Sequence, residues 1–463
     1  MKITFTNFGP IKKCELTLGK LVIFTGLNNT GKSYITHGVF GLLEKWRNLI
    51  ALPPFHEEAR ALLTTGEASM ETAEFSGAAF QRQIHSIAES YKLELANTLA
   101  CDFSRFEETN VGLFVPESVV LESEIMEQRK FGTAQVSMSK AAKDNILVFT
   151  LIAGATDSAG AVNSRVPVLA RMLREMVLDN IFAHYFPRVF ISSSERTGAA
   201  LFQGDLNPKR TDARPEEGFD DRLSPLSEED LAPAYALAVQ RSIEFLSSSN
   251  LQRIQRLTSP LISNRPDIGN ALDAIAKGSF KATPEGTYFV PAAEGSPHLR
   301  LGESSSSVRS LLDVSYYIRH ILRPGDCFMI DEPELNLHPR NQRLFARLIG
   351  RLVNAGIKVF ITTHSDYIIR ELNTLIVLAG RVNSRAKLLE ELKYEANELI
   401  DAAEVRFYRT ANESNQEVEE TAVDATKGIE VRSFDEVIDE LNEVQDAIIY
   451  TPEIEEPKEG EEE

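Results

Sequence analysis

Residues 26–33 read Gly-Leu-Asn-Asn-Thr-Gly-Lys-Ser, and few octapeptides restrict a fold so narrowly. The spacing fits G-x-x-x-x-G-K-[ST], the Walker A phosphate loop. Gly26 and Gly31 let backbone N–H groups curl around phosphate oxygens without a Cβ in the way. Asn28, Asn29 and Thr30 supply the rest of that backbone, Lys32 a compact cation, and Ser33 a hydroxyl for Mg²⁺. The helix expected to begin near Lys32 and run on through Tyr34 points its positive end at the same anion. Context agrees, because the apolar run LVIF precedes the loop as a buried strand would.

A phosphate loop needs a metal ligand and a group to activate water, and the chain offers both far downstream. Cys327-Phe-Met-Ile-Asp331-Glu332 is an apolar strand ending in two carboxylates, the Walker B form. Asp331 is placed to hold Mg²⁺, directly or through water, and Glu332 to orient and deprotonate the attacking water. A further apolar strand from Lys358 ends in Thr-Thr-His364, which puts His364 within reach of a γ-phosphate or of that water. Upstream, Ser304, Ser305, Ser306 and Ser307 precede Arg309 and an amphipathic helix carrying Leu311, Leu312, Val314, Tyr317, Ile318 and Ile321. Serine caps such a helix well. The separation of Lys32 from Asp331 implies a head assembled from two sequence-distant lobes.

The resulting expectation is an α/β fold: an ABC-type P-loop head with a mixed sheet in two lobes, plus helical insertions. Residues 1–40 form its N-terminal part, 41–133 a mainly helical insertion, and 134–203 further head strands and a helix. Residues 204–230, rich in Pro, Gly and charge, read as a flexible loop, and 231–278 as a helical segment. The C-terminal part spans 279–450, and 451–463 is a disordered acidic tail. That tail contributes to a net charge of −19, which argues against a surface built to coat nucleic acid. It solubilises the chain, mimics nucleic acid or docks on a basic partner. No signal peptide or membrane-length apolar run occurs, and Cys14, Cys101 and Cys327 lack metal-ligand spacing, so the cytoplasm is the expected compartment. Phe8, Lys12 and Lys13 are neighbours to consider for the base or phosphates.

Taken together, GLNNTGKS, SSSSVR, MIDEPELNLHP and ITTHSD resemble, in order, the motifs of ABC-type ATPases of the SMC/RecF/OLD branch, in the AAA-15 subgroup. The resemblance implies ATP and Mg²⁺ as ligands and head-to-head pairing. In the pair, Ser305 reaches the nucleotide of the opposing head and Arg309 braces its own loop. Ser306 and Ser307 depart from the glycines usual in the signature. ISSSERTGAALF is similar to a Ser-Glu-Arg-Thr-Gly element found near the Q-loop position, which makes Glu195 and Arg196 candidates for the γ-phosphate or water network. No Asp-x-Asp follows His364, so the TOPRIM nuclease domain of OLD proteins is not expected in the same chain. Stand-alone ATPases of this kind resemble sensor subunits of anti-phage systems, which implies a separate effector, expected to be a nuclease, and a phage trigger. The alternative is a DNA-repair or chromosome-handling ATPase acting directly on DNA. A transporter motor fits poorly.

Overall fold

Leu21-Val-Ile-Phe-Thr25 is apolar along almost its whole length, as a strand covered on both faces must be, and all five residues are buried. In the computed structural model, which describes residues 1–116, 123–132, 134–152, 159–202, 235–410, 416–429 and 442–449, this strand sits at the centre of the largest sheet. Strands β1 (Lys2–Phe8) and β2 (Ile11–Thr17) lead into it as β3 (Leu21–Thr25). Five further strands precede the next member of that sheet: β4 (Glu67–Glu71), β5 (Asn110–Phe114), β6 (Ile125–Phe131) and the pair β7 (Ala134–Lys140) and β8 (Ile146–Ile152). Then come β9 (Val189–Ser192), the hairpin β10 (Gly278–Thr283) and β11 (Gly286–Pro291), β12 (Leu299–Arg300), β13 (Cys327–Asp331) and β14 (Lys358–Thr362). The C-terminal strands are β15 (Val405–Thr410), β16 (Val418–Thr421), β17 (Val423–Asp424) and β18 (Gly428–Ile429).

The six-stranded sheet has the order β16-β15-β3-β14-β13-β9. Its members run parallel except β16, which lies antiparallel on β15. Two members come from the first two hundred residues and four from beyond residue 320, so the sheet is mixed and joins two sequence-distant parts. Alternate side chains go to opposite faces. Val22, Phe24, Met329, Phe360 and Tyr408 enter one core, and Leu21, Ile23, Phe328, Ile330, Val359 and Ile361 the other. Phe24 stacks between Phe360 and Tyr408, with ring centroids 6.0 and 5.3 Å away. Each such fully buried side chain contributes about 1.5–3 kcal/mol from burial.

Helices cover both faces. The first core receives α1 (Lys32–Leu49), α2 (His56–Thr65), α3 (Gly77–Leu99) and α4 (Ala159–Val177). After the short α5 (Arg196–Leu201) come α6 (Leu237–Leu246), α7 (Ser248–Ile254), α8 (Pro260–Asn264) and α9 (Pro266–Ala276). The second core takes α9 together with α11 (Leu312–His320), which follows the single turn α10 (Ser306–Arg309), and with α12 (Pro339–Asn354) and α13 (Asp366–Gly380). Helix α14 (Arg385–Leu392) has no buried residue.

Residues 41–133 hold the end of α1, then α2 and α3, with strands among them. Helix α1 continues to Leu49, and three strands lie in the segment. Strand β5 pairs with β1, while β4 and β6 pair with β8 and β7, beyond the segment. Their side chains alternate exposed and half-buried, as in Glu67–Glu71, so little apolar signal marks them. The pairing is set by distant partners. The loop expected at 204–230 and the tail at 451–463 lie outside the described residues.

Candidate active site

Parallel register brings three strand ends to one edge. Asp331 stands opposite Thr362 and Thr362 opposite Phe24, so the segments after β3, β13 and β14 leave side by side. This is the edge at which open α/β sheets present their loops to ligands.

The loop after β3 is shaped by close packing. Gly26 has φ 148°, and a Cβ there would lie 1.8 Å from Thr410 Oγ1. Gly31 has φ 92°, and a Cβ would meet Pro10 and Ile11 at 2.8 Å. The Thr30 hydroxyl lies 2.7 Å from the Leu27 carbonyl, to which it donates, and 2.6 Å from the Thr410 hydroxyl, tying the loop to the end of β15. Asn28 and Asn29 are exposed, Asn29 with φ 63°. No side chain caps α1 at Gly31. Lys32 is only 6% exposed, and its ammonium donates to the carbonyls of Gly26 (3.1 Å) and Leu27 (2.6 Å). An ammonium has three N–H donors, so one remains for an anion. Burial lowers its pKa against the opposing pull of Glu332, Asp331 and Glu334.

The loop and the acid pair meet. Ser33 Oγ lies 3.5 Å from Asp331 Oδ2, across 298 residues of sequence. The other Asp331 oxygen accepts from the Thr362 hydroxyl, which aims Oδ2 at Ser33. Glu332 has φ 51°, a region that costs most side-chain-bearing residues about 1–2 kcal/mol. Its N–H donates to the Thr362 carbonyl at 3.0 Å. Burial pushes its carboxyl above the ordinary range, Asp331 adds to this, and Arg196 and Lys32 oppose it. The backbone N–H of His364 donates to Glu334 at 2.6 Å, and Thr363 donates to the same carboxylate at 2.8 Å. Burial, then Lys32, lowers the imidazole pKa of His364 and favours its neutral form.

Several candidates take other roles. Arg196 is 2% exposed. Its guanidinium donates to the main-chain carbonyls of Ser193 (3.0 Å), Ser310 (3.1 Å), Asp331 (2.7 Å) and Glu332 (2.6 Å). A group so committed positions backbone. Glu195 beside it is exposed. Ser304 is buried and its hydroxyl donates to the Leu301 carbonyl at 2.7 Å, which withdraws it from contact with another molecule. Ser305 is exposed and caps α10 by accepting from Val308 N, while Ser306 and Ser307 are half-buried. Arg309 donates to the carbonyls of Ser304 and Leu301, bracing the turn. Tyr34 is half-buried and packs edge-on to Phe8 at 5.8 Å, while Phe8 is fully buried on Phe5 and is not laid open for a base. Lys12 and Lys13 are exposed.

Four residues at this edge had no role in the sequence reading: His37, Thr362, Glu334 and Thr410. His37 lies one helical turn beyond Ser33, so its spacing was a usable signal. Its Nε2 is buried without a hydrogen-bond partner among the described residues. Burial lowers its pKa, opposed by Asp331 and Glu195. Thr410 has no local motif, because only the sheet order brings β15 to the loop.

A phosphate-loop strand separated from the acid-bearing strand by the strand of His364, with helices on both faces, is consistent with the fold of an ABC-type P-loop head. The family model described as AAA ATPase domain, AAA_15, matches residues 225–369, which span the serine segment, the acid pair and His364. No curated protein matches the sequence. Solved structures similar to the chain include an SmcHead bound to the C-winged helix domain of ScpA, at 10% identity and TM-score 0.34, covering 91% of this chain and 97% of that one. An SMC head domain from Thermotoga maritima is 11% identical at TM-score 0.30, covering 91% and 98%. An Smc head with an extended coiled coil, bound to the C-terminal domain of ScpA derived from Pyrococcus furiosus, is 11% identical at TM-score 0.32, covering 96% and 98%. Among the described residues no helix is long and apolar enough to cross a membrane.

Proposed function

We propose that the chain binds ATP with Mg²⁺ and hydrolyses it to ADP and phosphate when two heads pair. The carrying observation is the 3.5 Å approach of Ser33 Oγ to Asp331 Oδ2, beside a buried Lys32 with a donor to spare. Two hard oxygen donors suit Mg²⁺, and Ser33 and Asp331 would hold it. Bound there, the ion neutralises charge on the phosphates.

The chain's own groups do the remaining work. Gly26 to Gly31 wrap the phosphates and Lys32 holds them. Glu332 takes a proton from water as the water oxygen attacks the γ-phosphorus and the bond to the ADP oxygen breaks. The raised Glu332 pKa makes it a better proton acceptor than an ordinary carboxylate. Neutral His364 orients the water or the γ-phosphate. Ser305, exposed at the cap of α10, reaches the nucleotide of a second head, so each composite site needs both.

On this reading the chain is the ATPase sensor and scaffold of an anti-phage system, controlling a separate effector, a TOPRIM nuclease, through ATP-dependent pairing. In subgroup and size it resembles AriA, the stand-alone ATPase of the PARIS system. The net charge of −19 supports a protein partner over a DNA track. Mg²⁺-dependent phosphate release by the purified chain tests the enzymatic part; no release above a Glu332→Gln control would sink it. Copurification with a nuclease-like protein supports the effector, whereas DNA alone favours a repair role.

A further inference from the structure

The serine segment of a paired head serves the opposite nucleotide, while Glu332 serves its own. These two duties lie in one chain, and a single buried side chain bridges them. We propose that Arg196 is a positioning residue that couples the signature segment of each head to its own water-activating carboxylate, so that engagement of one composite site sets the geometry of the other. The proposal rests on the pairing and hydrolysis reading above.

The bridge can be followed bond by bond. Ser305 caps α10. One turn on, the Ser310 N–H donates to the Ser306 carbonyl at 2.9 Å, and the Ser310 hydroxyl donates to that of Ser307 at 3.0 Å. The Ser310 carbonyl in turn accepts from Arg196 Nε at 3.1 Å. The far side of the same guanidinium takes the carbonyls of Asp331 and Glu332. Strand β9 pairs with β13 only as far as Ile330, so these two carbonyls lie past the end of that ladder. Arg196 substitutes for the missing strand at the point where the backbone of Glu332 turns into a left-handed conformation.

Planarity makes the device stiff. A guanidinium presents its N–H groups in a fixed fork. A shift of Ser310 is therefore passed to Glu332 as a rotation of one rigid plate. Asp313, buried on α11, most strongly opposes the lowering of the Arg196 pKa by burial. Neither Arg196 nor Asp313 needs to touch nucleotide for this.

The test uses the full chain, with ATP binding, kcat and the shape of the rate-versus-ATP curve measured for wild type, Arg196→Lys, Ser310→Ala and Glu332→Gln. Coupling between two sites makes the wild-type curve sigmoidal. A lysine ammonium cannot span four carbonyls, so Arg196→Lys should bind ATP as wild type does, lose about 100-fold in kcat and follow a hyperbolic curve. Ser310→Ala keeps the fork and removes only the Ser307 tether. It should fold as wild type, lose less in kcat and flatten the curve in part, which keeps the idea testable if Arg196→Lys does not fold. Wild-type kcat and sigmoidicity in Arg196→Lys, or in Ser310→Ala where the lysine variant is insoluble, would overturn the coupling. Loss of ATP affinity in step with kcat would overturn it too, because that signals collapse of the loop. Full activity in Glu332→Gln would instead sink the hydrolysis reading, independently of Arg196.

Discussion

The phosphate loop and the serine segment make opposite uses of their side chains. Around the loop the groups that meet the acids and β15 are tied to the chain's own atoms, Lys32 to carbonyls, Thr30 to Thr410, Asp331 to Thr362 and Ser33, while Asn28 and Asn29 stay exposed. In the serine segment Ser304 and Arg309 are spent on holding the turn, and Ser305 is left at the surface as a helix cap. The first region is tied together within one chain, whereas the second leaves a shaped edge open, which is what the proposed pairing of two heads requires.

The sharpest way to break this contrast is at the water-activating carboxylate. Glu332→Gln should lower kcat by about 10²–10⁴-fold, the usual worth of a positioned base, with ATP binding intact; normal turnover would remove Glu332 from that role. Lys32→Ala should cost the loop its cation and weaken ATP on the order of 100-fold, as expected for about 2–3 kcal/mol of charged hydrogen bonding. Retained tight binding would mean that the buried lysine only braces the loop. The serine segment is probed by mixing. A Ser305→Arg chain and a Lys32→Ala chain, each inactive alone, should recover activity together, since one composite site of the mixed pair is intact. Absence of rescue would show that Ser305 does not act across a pair. Thr410→Val should weaken nucleotide binding about fivefold, the effect of one hydrogen bond near 1 kcal/mol, and an unchanged affinity would show that the loop needs no pin from β15.

The smallest effect lies away from both regions and serves as their control. Burial alone would push the Glu371 carboxyl up, but hydrogen bonds from Arg347 and Arg343 outweigh it and hold the pKa below the usual range. A depressed folded-state pKa stabilises the protein above the unfolded value, and the gain fades as pH falls through the folded one. Glu371→Gln should therefore lower Tm near neutral pH and converge with wild type in acid, leaving kcat unaltered. A Tm gap independent of pH would assign the loss to packing.

Much of the loop edge was legible because its chemistry is local. Glycines at two fixed positions, a lysine and apolar strands ending in Asp331-Glu332 or His364 announce themselves within a few residues. Less legible were features set by sheet order or by burial. Thr410 meets the loop only because β15 lies beside β3. Arg196 stood in a recognisable motif, yet its four carbonyl partners depend on where β9, β13 and the turn before α11 converge, so the motif alone did not show its hold on the backbone. Ser304 looked like its three neighbours until burial separated it from them. Strands β4 and β6, half-exposed and charged, carry no apolar run, and their partners alone explain them.

The account stands on the lysine loop and the distant acids sharing one metal–nucleotide complex. Mn²⁺ with a non-hydrolysable ATP analogue, bound to crystals of the Glu332→Gln chain, locates that metal by its anomalous scattering. The peak should fall between Ser33 Oγ and Asp331 Oδ2 with the analogue's phosphates within the loop of Gly26 to Lys32; a peak that touches neither side chain would contradict it.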